Sequence, residues 1–278
     1  MFWLKAYLIF LGLFSVHLAL GVTVQNDNDR YADIVIEPSS GRVLHATNAT
    51  SLRHPASLTK MMTLYMAFKA LKEGRLKLDQ QLPVSANAAG QEPTKLGLKS
   101  GQTISVKDAI MSIATLSAND SAVVLAEALG GSVSDFGRAM TQQAFNLGMK
   151  QTHFDNPSGL PDPYQMTTAY DMAKLASALI QEFPEYYPYF SLKNYSYGGA
   201  LYHNHNHLMD NYPGMDGIKT GYIHSSGFNL VASAKHGDTR LIGVVFGGTS
   251  PATRNERMAQ LLNEGFATIG QGGHANSN

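Results

Sequence analysis

Ser57 and Lys60 are separated by three positions in the run His54-Pro55-Ala56-Ser57-Leu58-Thr59-Lys60. Three-residue spacing puts both side chains on one face of a helix, where they can touch. A hydroxyl beside an amine is a nucleophile beside a group that can take its proton. Pro55 disfavours helix for the residue before it and suits a first helical turn, so a helix is expected to begin here. Met61, Met62, Leu64, Tyr65, Met66, Phe68 and Leu71 then spread apolar surface around nearly every side of it. Such a helix is normally buried, and burial lowers a lysine's pKa toward the range a general base needs. The four-residue pattern alone is common, and its partners decide its meaning.

Two further groups are candidates. Ser117-Ala118-Asn119 falls at a break between two helical patterns, where a hydroxyl and an amide can address one cavity. Taken alone, the pair reads equally as helix capping. Lys219-Thr220-Gly221 lies in a strand pattern, with Lys219 and Gly221 expected on one face and Thr220 on the other. Lys219 would offer positive charge to a carboxylate, and Gly221 would let a substrate backbone approach. A serine-x-x-lysine helix, a serine loop and a Lys-Thr-Gly strand in this order form the signature of penicillin-binding proteins and class A β-lactamases. His203, His205 and His207 alternate with asparagines and suggest a metal site, but no acidic pair accompanies them. A polar loop or edge strand is the expectation, with no metal and no cofactor.

The elements that must hold these groups follow from periodicity. Ala32–Glu37 and Arg42–Ala46, joined by Pro38-Ser39-Ser40-Gly41, read as a β-hairpin. Helical patterns follow at Ser57 to Ala70, Val106 to Leu116, Ser121 to Leu129, Ser132 to Gly148 and Thr168 to Ile180, with Ser105 and Ser134 as caps. After Pro188, strand patterns run over Phe190–Tyr197, Gly217–Tyr222, Gly227–Lys235 and Arg240–Phe246, and a helix closes over Arg254–Ile269. Strands from both ends are expected to share one sheet, with helices on both faces and a helical block to one side.

Composition narrows the class. The 278 residues are 44% hydrophobic and 15% charged with zero formal net charge, which supports a large core and offers no basic face for nucleic acid. With no cysteine there are no disulfides, thiolate metal sites or cysteine nucleophiles. Residues 1–21 combine Lys5, the apolar run Ala6–Leu20 and the small residues Ala19 and Gly21, as in a cleaved secretory leader. A retained anchor is the other reading of that segment. Either way the domain, residues 22–270, is expected outside the cytoplasmic membrane, in a periplasm or cell-wall space, followed by a polar tail over 271–278.

The chain resembles the D-alanyl-D-alanine carboxypeptidases, the low-molecular-mass penicillin-binding proteins of serine peptidase family S11. The resemblance rests on Pro55–Thr63, Ser117–Asp120, Phe154–Leu160, Asp216–Tyr222 and Gly227–Ala234, and extends roughly from Ala32 to Ile269. It implies a five-stranded antiparallel sheet flanked by helices, plus an α-helical subdomain. Ser57 would be acylated, Lys60 would be its base and Ser117 a proton relay, while Asn119 would hold the substrate's peptide carbonyl. Lys219 and Thr220 would bind the terminal carboxylate, with Arg254 adding charge near it. The N–H groups of Ser57 and Tyr222 would form the oxyanion hole. The implied partners are peptidoglycan stem peptides and, as covalent inhibitors, β-lactams. Many members carry a β-rich second domain and an amphipathic anchor. Neither is expected after Gly265-Phe266, so cleavage of cross-links by a D,D-endopeptidase is an alternative, as are a β-lactamase and a silent cell-wall binder. The loop Asn156–Asp162 offers no glutamate to activate a deacylating water, unlike class A β-lactamases.

Overall fold

The computed structural model describes residues 30–275, with side chains to residue 270. The expected leader, residues 1–21, and positions 276–278 of the tail lie outside the described residues. Along the chain run β1 (Ala32–Glu37), β2 (Arg42–Thr47), α1 (Lys60–Lys72), β3 (Gln81–Pro83), α2 (Ala86–Ala89), β4 (Thr103–Ser105) and α3 (Val106–Thr115). Next come α4 (Asn119–Gly130), α5 (Val133–Asn146), α6 (Ala169–Glu182), β5 (Asn194–Tyr197), β6 (Ala200–His203) and α7 (Leu208–Asn211). The chain finishes with β7 (Met215–Ile223), β8 (Gly227–His236), β9 (Thr239–Gly248) and α8 (Pro251–Ala275).

Strands from both ends do share one sheet, in the order β2-β1-β9-β8-β7, and every pairing is antiparallel. Alternation along β9 shows why it sits in the middle. Ile242, Val244 and Phe246 join the larger core, while Leu241 and Val245 join a smaller one beneath α8. Gly243 makes room for that helix, since a Cβ there would stand 2.4 Å from Met258 Sδ. On the other face, α1 buries Met61, Met62, Leu64 and Phe68 completely. Each such side chain contributes roughly 1.5–3 kcal/mol relative to exposure. The helical block α2–α5 packs beside this core.

Two local expectations are corrected. Ser132, not Ser134, caps α5: it has extended backbone and accepts the Asp135 N–H at 3.0 Å, while Ser134 accepts from Arg138. The strand pattern over Phe190–Tyr197 splits. Tyr187–Ser191 forms a 3-10 helix that begins around Pro188 and buries Phe190 edge-on against Phe68. Only Asn194–Tyr197 is strand, and it pairs with β6 in a separate hairpin. The apolar, aromatic composition that suggested a strand is satisfied by core packing instead.

Candidate active site

The nucleophile's turn differs in detail from a plain helix start. Ala56–Thr59 is a 3-10 helix, and α1 takes over at Lys60. In a 3-10 turn, side chains three apart eclipse one another, so Ser57 and Lys60 align more directly than on an α-helix. Ala56 holds φ at +49°, a costly conformation for alanine, and surrounding contacts enforce it. Gly159 lies on one side, where a Cβ would stand 1.9 Å from the Ala56 carbonyl oxygen. Gly221 lies on another, where a Cβ would stand 3.0 Å from the Ser57 nitrogen. The close approach expected of Gly221 is therefore made by the protein's own nucleophile turn.

Lys60 is fully buried, and its Nζ has three oxygen neighbours. Ser57 Oγ is at 3.1 Å, Asn119 Oδ1 at 2.6 Å and the Ser158 carbonyl at 2.5 Å. The last two oxygens can only accept. A neutral amine has two hydrogens for them and a lone pair left for the Ser57 O–H. Burial, and next the positive charge of Lys219, hold the Lys60 pKa well below its ordinary value, with Asp120 pulling the other way.

Ser117 and Asn119 sit where α3 ends and α4 begins. Ser117 has φ +68°, and its buried hydroxyl has no protein partner. Ser117 also lines the cleft, so its hydroxyl can address what occupies it. Asn119 accepts from Lys60 through Oδ1 and donates one Nδ2 hydrogen to the Glu92 carbonyl at 2.8 Å, which leaves its second hydrogen for a ligand.

β7 is an edge strand of the main sheet. Thr220, Gly221, Tyr222 and Ile223 line a cleft of about 440 Å³ together with Ser57, Ser117, Asn119 and Arg254. Lys219 lies beneath this lining, donating to the Thr220 carbonyl at 2.9 Å. Its burial, and then Arg254, draw its pKa down to about 7. Arg254 is only 4% exposed and donates to the Asn229 carbonyl. Burial brings its pKa to about 10, so it remains charged at neutrality. Ser57, Ser117, Asn119, Thr220, Gly221, Tyr222 and Arg254 thus line one cleft, with Lys60 hydrogen-bonded to Ser57 and Lys219 buried beside Thr220.

The histidines separate. His203 ends β6 and meets Asn194, whereas His205 and His207 reach the cleft from the following loop and the cap of α7. Burial, followed by Lys219, holds His205 down at about 4. Sequence reasoning missed the segment Glu92-Pro93-Thr94, which has no periodicity to betray it. Its Thr94 donates to the Leu116 and Ser117 carbonyls and accepts from the Asn119 N–H. It also missed Asp120, whose buried carboxylate accepts the backbone N–H groups of Leu96, Gly97 and Leu98. An acid in the first turn of a helix was the available signal.

The nucleophile turn, the serine at the helix junction and the lysine-bearing strand carry the motif set shared by penicillin-binding proteins and class A β-lactamases. The family model described as D-alanyl-D-alanine carboxypeptidase, peptidase S11, matches residues 22–250, and the chain belongs to that family. The carboxypeptidase DacF of Bacillus subtilis is 36% identical over 239 residues, covering 84% of this chain and 61% of its own length. DacA of Escherichia coli is 38% identical over 249 residues, covering 87% and 61%. The chain thus spans less than two thirds of these relatives. Penicillin binding protein 5 of Haemophilus influenzae superposes with a TM-score of 0.82 at 35% identity, covering 85% of this chain and 70% of that one. Penicillin-Binding Protein D2 of Listeria monocytogenes, solved in an ampicillin-bound form, gives 0.74 at 31% identity over 84% and 96%.

Proposed function

We propose that the protein is a serine D-alanyl-D-alanine carboxypeptidase acting on peptidoglycan stem peptides outside the cytoplasmic membrane. The observation that carries this reading is the fully buried Lys60 amine 3.1 Å from Ser57 Oγ, held by two acceptor-only oxygens. In the proposed course, the peptide lies along the β7 edge. Lys219, Thr220 and Arg254 hold its terminal carboxylate. The second Nδ2 hydrogen of Asn119 meets a backbone carbonyl of the peptide.

Lys60 takes the Ser57 proton as Oγ attacks the carbonyl of the penultimate D-alanine. The N–H groups of Ser57 and Tyr222 receive the developing oxyanion. Ser117 passes a proton to the leaving amine, the C–N bond breaks, and D-alanine departs. Water then hydrolyses the ester and restores Ser57. A β-lactam presents a strained cyclic amide to the same serine.

Incubation with a pentapeptide substrate should release free D-alanine, and Ser57→Ala should abolish that release. Cleavage of a cross-linked dimer with no release from the pentapeptide would favour the D,D-endopeptidase reading. Penicillin binding with neither activity would favour a silent cell-wall binder.

A further inference from the structure

Asn229 of β8 is completely buried and does not line the cleft, yet its amide is spent on groups that surround it. The β8–β9 pairing shifts register between Phe228 and Leu230, an irregularity of the kind that re-aims a side chain beside an active site. Asn229 Oδ1 accepts the Gly247 N–H at 3.1 Å. Its Nδ2 donates to the carbonyls of His54 at 3.3 Å and Pro55 at 3.5 Å, the two residues that lead into the Ser57 turn. Through its own carbonyl it accepts Arg254 Nη1 at 3.2 Å. Its partner across β7 is Gly221, which packs on the same turn. One residue thus joins the nucleophile's turn to the strand that seats the cleft's guanidinium.

We infer that Asn229 is a positioning residue that fixes the span between Ser57 and Arg254, so that the bond one residue inside a free C-terminus is the one presented to Ser57. The inference rests on the carboxypeptidase reading, in which Arg254 helps to hold the terminal carboxylate and Ser57 attacks the carbonyl before it. Asn229 acts through the two groups it holds. Without its amide, Arg254 keeps the backbone carbonyl at position 229, but the His54 and Pro55 carbonyls lose the donor that ties the turn to β8. A ligand anchored by its carboxylate then meets Ser57 Oγ out of line, and a misplacement of about 1 Å can cost roughly 10²-fold in rate. A ligand without a carboxylate draws nothing from the fixed span and loses less.

The test compares rates of acylation of the full chain by benzylpenicillin and by its methyl ester, which lacks the free carboxylate, followed by intact-mass spectrometry. Wild-type protein should favour the acid by about tenfold or more, the worth of a charge-assisted contact. Asn229→Ala should reduce that preference by about fivefold or more, because only the anchored ligand depends on the span. On an Arg254→Ala background the same substitution should leave the ratio where it is, since the two residues act as one unit. A ratio taken within one variant is not moved by a smaller folded fraction. Asn229→Ser, which leaves room for water at the two carbonyls, answers the same question where the alanine variant does not fold. No preference for the acid in wild type, a preference unmoved by the Asn229 variants, or an equal fall with and without Arg254 overturns the inference. Failure of the wild type to release D-alanine from a pentapeptide overturns the carboxypeptidase reading instead.

Discussion

Gly159 rests against Ala56 so closely that a methyl group on it would stand 1.9 Å from the Ala56 carbonyl oxygen. Gly159 also holds φ at +81°, so no other residue fits without moving the nucleophile's turn. The contact couples the Asn156–Asp162 loop to the strained alanine beside Ser57. Gly159→Ala should cost about 2 kcal/mol or more, from backbone strain and overpacking together. Acylation by penicillin should fall with it. Thermal unfolding checks this: an unchanged Tm with wild-type labelling would show that the loop is not what holds the turn.

Lys60→Arg tests the base without removing charge. A guanidinium is not deprotonated in proteins, so it cannot take the Ser57 proton. Acylation by a fluorescent penicillin should slow by roughly 10²–10⁴-fold, the usual contribution of a positioned base. Labelling near the wild-type rate would remove Lys60 from that role.

The pH profile should be set by two lysines with opposite requirements. Lys60 acts when neutral, and Lys219 binds a carboxylate when charged. With the Lys219 pKa near 7, kcat/KM for the pentapeptide should fall as pH rises through that value. The two amines influence each other, so the limbs belong to the pair. Lys219→Arg keeps its charge at alkaline pH and should move the falling limb upward. A limb at the wild-type position in that variant would assign it to another group.

Asp120 should matter for stability and for the cleft wall alike. Its buried carboxylate gathers three successive amides of the loop after Glu92-Pro93-Thr94. Asp120→Asn swaps an acceptor-only group for one that brings its own donors, at a cost of about 1–3 kcal/mol. Denaturant unfolding should show that loss, and acylation should weaken because Asn119 leans on the same loop. Unchanged stability would mean that the loop holds itself.

Much of the site was legible because it depends on fixed spacings. Ser57 and Lys60 needed only one turn, and Lys219 only the strand that carries it; the expected alternation does not describe the cleft, which Thr220 and Gly221 line together while Lys219 does not. The sheet was legible because β8 and β9 are long apolar runs with turn residues at both ends. What stayed hidden lies in non-repeating backbone. Thr94 reaches Ser117 from a loop, and Ser117 adopts a positive φ that no local pattern announces. Arg254 read as an ordinary residue near a helix start, yet packing against Gly248 buries it at the cleft. His205 reached the cleft only through the placing of its loop, whose backbone N–H meets the Thr115 carbonyl. Burial of this kind follows from tertiary approach, not from neighbours in the chain.

The most direct measurement is intact-mass spectrometry after mixing with penicillin, with peptide mapping of the adduct. Among the described residues no carboxylate side chain lines the cleft, and Asp162 is occupied by the Tyr164 N–H outside it. Deacylation therefore lacks a positioned carboxylate base, and each tenfold loss of rate corresponds to about 1.4 kcal/mol of barrier. The tethered β-lactam leaving group also stays in the site, where D-alanine would depart. The account predicts one adduct, on Ser57, persisting for minutes or longer. Rapid turnover of excess penicillin without a detectable adduct, or an adduct on any other residue, would contradict it.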